Sequence, residues 1–308
     1  MNSPLVLRVA LIGSNGMLAG MVKERAPAGV AIEGLDLPEF DLTDRSQVLA
    51  VVGEMNPDVM INCAAYTNVD GCETEQETAM AVNGDGPGFL TEAAKNCGAT
   101  LVHISTDYLF DGSGDSPLRE DTLPNPQSVY GRSKLAGELA ILDSGLENYL
   151  IVRTSWLYGP GGKNFVETIL RLAGEREQLA IVADQIGSPT YTGDLAEGIF
   201  RLLTGDSSPK GTVPYGIYHF ADAGQCSWYQ FACAIVEEAR QLGLPLRVQE
   251  IRPLQTKDYP LPAKRPAYSV FDTGKYRQAT GRQIPEWRTS LREYLQRRPA
   301  EPQCREPR

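Results

Sequence analysis

Histidine is nearly absent from this chain. In 308 residues there are two, His103 and His219, each inside an apolar run. Two buried strand histidines are the expected reading, so nucleophilic catalysis through a serine–histidine or cysteine–histidine pair is all but excluded. The six cysteines (Cys63, Cys72, Cys97, Cys226, Cys233, Cys304) are scattered and make no Cys-x-x-Cys pair. That spacing argues against a metal site and against a disulfide framework; reduced thiols in a cytoplasm fit better. No apolar run approaches the ~18 residues of a membrane span. Met1-Asn2-Ser3-Pro4 lacks a basic segment, so no secretory signal is expected. Positive charge is also in deficit: 29 Lys and Arg stand against 39 Asp and Glu, a net −10. An acidic chain is a poor ligand for nucleic acid or an anionic membrane, although one local basic pocket could still hold a small anion.

What is present is a steady alternation of two periodicities. Strand-like runs are read at Leu5–Ile12, Val30–Asp36, Asp58–Cys63, Thr100–Ser105 and Tyr149–Thr154. Helix-like stretches fall at 16–25, 43–55, 73–97 and 128–142, the third of them broken around Gly84-Asp85-Gly86-Pro87-Gly88. Such order predicts a parallel sheet covered by helices on both faces. After Thr154 the pattern loosens. Helices are expected at 164–174, 228–242 and 286–297, and short strands at 179–182 and 217–220. The proline-rich stretch 252–266 reads as an irregular surface segment, and 299–308 as a disordered tail.

Gly13-Ser14-Asn15-Gly16 follows the first strand directly and opens a helix, a context in which glycines serve a dinucleotide. Gly13 permits the tight turn, and Gly16 lets the backbone approach a pyrophosphate at the helix N-terminus. Ala19 stands where a third glycine is common. The second strand ends at Asp36, a carboxylate suited to an adenosine ribose and hostile to a 2′-phosphate. Leu37 offers no cation for that phosphate, which favours NADH over NADPH. Asp41-Leu42 is a candidate adenine wall, with Asp41 equally able to cap the following helix. Small residues after the third strand leave room for a cofactor, or simply pack.

The run Tyr130-Gly131-Arg132-Ser133-Lys134 places a phenol and an ammonium one turn apart on a helix. The ammonium is expected to lower the phenol pKa and make Tyr130 a proton donor to a carbonyl. Ser105-Thr106-Asp107-Tyr108 ends the fourth strand. A hydroxyl there gives a second donor toward developing alkoxide charge.

Together these residues resemble the extended short-chain dehydrogenase/reductase family, and within it the dTDP-4-dehydrorhamnose reductase group. The likeness is carried by 62–70 (NCAAYTNVD), 105–112 (STDYLFDG), 130–138 (YGRSKLAGE), 153–159 (RTSWLYG) and 184–190 (DQIGSPT). It implies a doubly wound, Rossmann-like NAD(P)-binding α/β fold with a smaller C-terminal substrate domain. Residues 1–155 would form the dinucleotide-binding domain, with parts of 180–225 returning to it, and 156–298 the substrate-binding domain. Thr106, Tyr130 and Lys134 would be catalytic. Gly13, Ser14, Asn15, Gly16, Met17, Leu18, Asp36, Asp41, Leu42, Ala64, Ala65 and Tyr66 would contact NADH or NADPH, as would Tyr130 and Lys134. Thr106, Asp107 and Trp156 would touch the sugar, with Val69 and Tyr108 beside them, and no metal is implied. The implied reaction is reduction of the C4 carbonyl of a nucleotide-linked 4-keto sugar, dTDP-4-dehydro-L-rhamnose; a homodimer is left open. Two rivals remain: an epimerase or dehydratase of the same fold, and a non-catalytic regulatory subunit like that of methionine adenosyltransferase.

Overall fold

The computed structural model describes residues 7–204 and 214–298, so the tail expected to be disordered lies outside the described residues. The first half runs β1 (Leu7–Ile12), α1 (Met17–Glu24), β2 (Val30–Leu35), α2 (Arg45–Met55), β3 (Val59–Asn62), α3 (Val69–Cys72), α4 (Gln76–Met80), α5 (Gly86–Cys97), β4 (Thr100–Thr106), α6 (Val129–Leu142) and β5 (Tyr149–Thr154). The strands are short and apolar because helices cover both faces of the sheet. Val9, Leu11, Val102 and Val152 pack into one core cluster, and Ala10, Ile12, Leu101 and Ile151 into another. Side-chain caps start the helices: Asp44 accepts from the Gln47 N–H, and Ser128 from the Gly131 N–H.

The break expected near Gly84–Gly88 is absent. The chain passes from α4 to α5 through one π-helical turn, Ala81–Asp85. Pro87 lies in the first turn of α5, directly after that π-helical turn.

The second half supplies β6 (Leu157–Tyr158), α7 (Phe165–Glu175), β7 (Gln178–Val182), β8 (Ile186–Gly187), β9 (Thr190–Tyr191), α8 (Thr192–Thr204), β10 (Gly216–His219), β11 (Cys226–Ser227), α9 (Trp228–Gln241), β12 (Glu250–Leu254), α10 (Gly274–Thr280) and α11 (Trp287–Arg297). Helices α8 and α10 were not anticipated. The proline-rich segment also differs from expectation: its first residues complete β12, which pairs in parallel with β7. Pro253 is tolerated because a two-stranded sheet consists of edges only.

The main sheet has the order β10-β5-β4-β3-β1-β2, all parallel. β10 thus joins the sheet of the first half. The order reverses at β1, which lies between β2 and β3, and in doubly wound sheets a ligand crevice opens at that point beyond the strand C-termini. The segments after β1 and β3 are Gly13–Gly16 and Cys63–Tyr66. The fold is therefore an α/β doubly wound, Rossmann-like one.

Candidate active site

The glycine turn is built around one close approach. Gly13 has φ +74°, and a Cβ there would lie 2.6 Å from the Ala64 nitrogen. Only glycine lets the end of β1 pass the end of β3 so closely. Gly16 caps α1 with no side-chain partner, and the first turn carries no acid. The helix N-terminus thus keeps its donors and its positive dipole for an anion. The N–H groups of the turn itself are engaged, Gly13 and Ser14 with Leu35 O, Asn15 with Asp36 and Gly16 with Gly13 O, so these features fit a dinucleotide lying at the first turn of α1. Met17 and Leu18 open the helix, but the Leu18 side chain is buried in the core, so its share in such a site is its backbone.

Asp36 is already engaged: one carboxylate oxygen accepts from the Asn15 N–H (2.7 Å) and the other from the Leu37 N–H (2.8 Å). It braces the turn from the second strand. Asp41 accepts from the Thr43 N–H and hydroxyl (2.9 and 2.7 Å), a turn before the helix; the cap anticipated for it is taken by Asp44, because α2 begins only at Arg45. Leu42 is buried beside Gly86. Ala64 donates its N–H to Asn62 Oδ1 (3.1 Å), and Tyr66 donates to Asn83 Oδ1 (2.8 Å). Asn83 returns its amide to Tyr66 O and Ser133 Oγ. The loop through Ala64, Ala65 and Tyr66 is thereby tied to α6.

Ser128 starts α6 so that Tyr130 lies in its first turn. A Cβ on Gly131 would lie within 2.2 Å of Tyr108 O. The glycine brings the helix against the end of β4, and the Tyr108 and Tyr130 rings meet edge to face at 5.4 Å. Thr106, whose hydroxyl donates to Asp107 Oδ1 (3.2 Å), is close enough to Tyr130 to bear on its phenol. Burial dominates the phenol and pushes its pKa up, with Asp107 and Cys72 adding to the rise and Thr106 opposing it.

Lys134 is buried, but its ammonium is directed away from the role expected for it. Nζ donates to Ile104 O at 2.7 Å and lies 3.3 Å from His103 Nε2. Desolvation pulls the lysine down to about 8, against the raising influence of Glu138 and Cys63. The anticipated lowering of the tyrosine by Lys134 is not among the influences that set the phenol here. The lysine is one turn from Tyr130, but its charge is spent on a carbonyl of β4.

Around Thr106 the structure leaves buried polar atoms free. Among the described residues, Ser105 Oγ, Asp107 Oδ2 and Thr154 Oγ1 have no hydrogen-bond partner. Burial raises the Asp107 carboxyl to about 6, partly offset by bonds to Ser269 and Thr106. Orphaned buried oxygens at strand ends suit a polyhydroxylated ligand.

A cavity of about 1260 Å³ opens beyond Tyr108, lined by Phe165, Gln185, Trp228, Tyr259, Lys264 and Arg265 among others. Val69 opens α3, after the same β3 loop. Trp156 is held in the left-handed region, φ +47°, and its ring stacks on Trp228 at 3.5 Å. Its edge lies against Gly187. Trp228 therefore covers one face of the ring expected to pack on sugar, and Trp228 itself lines the cavity. Trp228 was read only as the start of a helix; its place after the Ser227 cap was the one available signal. Arg265 is bound bidentately by Asp70 (2.8 and 2.7 Å), and Lys264 lies 3.5 Å from Gln127 Oε1.

A doubly wound sheet, an uncapped helix behind a glycine turn, and a tyrosine–threonine donor pair at the end of β4 define an oxidoreductase of the extended short-chain dehydrogenase/reductase class. The chain belongs to the RmlD substrate binding domain family, whose pattern it matches over residues 7–299. It is 42% identical to a dTDP-4-dehydrorhamnose reductase of Streptomyces griseus, covering 93% of this chain and 92% of that protein. It is 40% identical to a spore coat polysaccharide biosynthesis protein of Bacillus subtilis, covering 94% and 98%. A crystal structure of dTDP-4-dehydrorhamnose reductase from Bacillus anthracis in complex with NADP superposes with a TM-score of 0.87 at 39% identity, covering 94% and 99%.

Proposed function

We propose that this protein reduces the C4 carbonyl of dTDP-4-dehydro-L-rhamnose to give dTDP-L-rhamnose, serving carbohydrate biosynthesis. The observation that carries the reading is Thr106 at the end of β4 with Tyr130 packed on Tyr108, which lines the cavity, supported by the named relatives. The nicotinamide supplies the hydride when bound. Gly13, Ser14, Asn15, Gly16, Met17, Leu18 and Ala64–Tyr66 form its cradle, beside Asp36, Asp41 and Leu42. Thr106 holds the carbonyl oxygen, and Tyr130 gives it a proton. Burial suits this direction of transfer, because a phenol with a raised pKa keeps its proton until an alkoxide develops beside it. Lys134 would hold the cofactor ribose. Asp107 would accept a sugar hydroxyl through its free Oδ2, with Trp156, Val69 and Tyr108 beside the ring. Residues 156–298, less the segment that adds β10 to the main sheet, would form the substrate-binding part.

The test is to mix the protein with NADH and a panel of nucleotide 4-keto sugars and follow cofactor absorbance. Net oxidation with the dTDP sugar, and little with the free sugar, is expected, because the remote nucleotide helps position the reacting carbon. Epimerases and dehydratases return the hydride to the same molecule, so absence of net oxidation would point to them; absence of any turnover would point to a regulatory subunit.

NADH should be preferred over NADPH. Asp36 lies at the end of β2, and the following Leu37 is exposed and uncharged. A 2′-phosphate there costs ~1–2 kcal/mol, a factor of about ten in kcat/KM. The Bacillus anthracis relative was crystallised with NADP, so equal or better kcat/KM with NADPH would overturn this preference without touching the reaction. The protein would work in the cytoplasm. Among the described residues, no helix is long and apolar enough to cross a membrane.

A further inference from the structure

The buried row Asn62–His103–Lys134 contains one hydrogen too many. His103 is fully buried, and desolvation with the neighbouring Lys134 keeps its ring neutral, so it carries a single N–H. Asn62 Oδ1 accepts from the Ala64 N–H at 3.1 Å, which turns Nδ2, a donor only, toward His103 Nδ1 at 3.1 Å. Nδ1 must then accept, and the ring proton must sit on Nε2. Nε2–H faces Lys134 Nζ at 3.3 Å. An ammonium has three donors and no acceptor, so N–H would meet N–H. A neutral amine has a lone pair and completes the row.

We propose that His103 and Asn62 are positioning residues that tie the protonation of Lys134 to the cofactor cradle. With Lys134 as an amine, His103 donates from Nε2, Asn62 donates to Nδ1, and Asn62 Oδ1 holds the Ala64 N–H. When one proton is taken up from solvent, the Nε2 proton passes to Nζ and the incoming proton joins Nδ1. Nε2 then accepts from the ammonium, and Asn62 rotates its amide to offer Oδ1 to Nδ1–H. That rotation puts Nδ2 in the place of Oδ1, so the Ala64 N–H, beside Gly13, loses its acceptor and turns to one on a ligand. Proton uptake at the lysine and donor release at the glycine turn become one event.

The surroundings single out this row. The groups around Lys134 are Cys63 after β3, His103 on β4, Tyr130 and Glu138 on α6, and Arg153 on β5 beyond Glu138. Burial pushes the Cys63 thiol up to about 12 and raises the Tyr130 phenol, so both stay protonated near neutrality. Glu138 is neutralised by Arg153 at 2.7 Å. Lys134 is drawn down to about 8 by desolvation, within reach of mildly basic solution.

The inference rests on Lys134 and Ala64 belonging to the cofactor site, but its first test needs no turnover. With two histidines in the chain, long-range ¹⁵N–¹H correlation of the imidazole nitrogens resolves both rings. His103 should carry its proton on Nε2 in basic solution and on Nδ1 in neutral solution, remaining uncharged. His219, whose Nδ1 faces Leu118 O at 2.9 Å while Nε2 faces Arg153, should stay Nδ1–H throughout. Asn62→Asp should hold His103 as Nδ1–H at every pH, because a carboxylate can only accept. A single pH-independent tautomer in the wild type, or a charged ring, would overturn the proposal. Calorimetry of NADH binding in buffers of different ionisation heat supplies the second arm. Proton uptake is expected in mildly basic solution for the wild type and should vanish in Asn62→Asp; equal uptake in both would also overturn it. Failure of NADH to bind at all would instead sink the assigned reaction and leave the tautomer result standing.

Discussion

Two buried polar clusters meet α6, and they follow opposite rules. In the first, Arg153 on β5 holds both Glu138 oxygens (2.7–3.2 Å) and approaches Glu120 O and His219 Nε2, while His219 Nδ1 donates to Leu118 O. The guanidinium, the carboxylate and both ring nitrogens are matched, donor to acceptor. In the second, Lys134 and His103 are equally buried and Tyr130 partly so, yet a donor faces a donor at Lys134, and Ser105, Asp107 and Thr154 leave oxygens unused nearby. A closed network can only hold structure. An unclosed one, kept at the end of a strand beside a cavity, is where a ligand or a proton completes the set.

The sharpest way to break this comparison is Tyr130→Phe. The ring keeps its packing on Tyr108, so the unfolding midpoint and NADH affinity should hold, while kcat falls on the order of 10²–10⁴. A variant retaining more than half of wild-type kcat would remove the open cluster's claim to chemistry. The mirror experiment is Glu138→Ala in the closed cluster. It strands a buried guanidinium and should cost about 3–5 kcal/mol in urea unfolding. A loss below about 1 kcal/mol would mean the pair is not holding the two elements together.

A smaller effect is read from pH. The folded Lys134 pKa, about 8, lies below the 10.5 of the exposed side chain. Between those values the unfolded chain binds more protons, so stability should rise with pH across that window, by up to about 3 kcal/mol. Lys134→Met should flatten the rise; subtracting the two curves isolates it from other groups. His219 belongs to the closed cluster and is lowered from 6.5 to about 3, by burial first and then by Arg153. Its contribution is complete above about 6.5 and is lost as pH falls toward 3. His219→Phe should remove that acid-side dependence but not the alkaline one.

Much of the first half was legible because its signals are local. Leu7–Ile12 and Val59–Asn62 are apolar runs bounded by turn residues, and Ser128 is a cap two residues after Pro126. The second half was harder to read. α8 begins at Thr192 inside a stretch rich in threonine and glycine, where capping chemistry masks the helical period. β12 carries Pro253, and only pairing with β7, about seventy residues earlier, makes it a strand. Trp156 was legible as an unusual residue in a motif; its stacking on Trp228 was not, because the partner lies seventy-two positions on.

The alternation of strands and helices, the glycine turn after β1 and the one-turn spacing of Tyr130 and Lys134 are written along the chain. Each follows from rules that act within a few residues: alternation, left-handed φ, and the helical repeat. The tertiary structure alone decided what those groups do with their hydrogens. Lys134 meets His103 across 31 positions, Arg153 meets His219 across 66, and Ala64 meets Gly13 where two strands end together. Such contacts depend on strand order and register, because donors and acceptors far apart in the chain are matched only after the sheet has assembled.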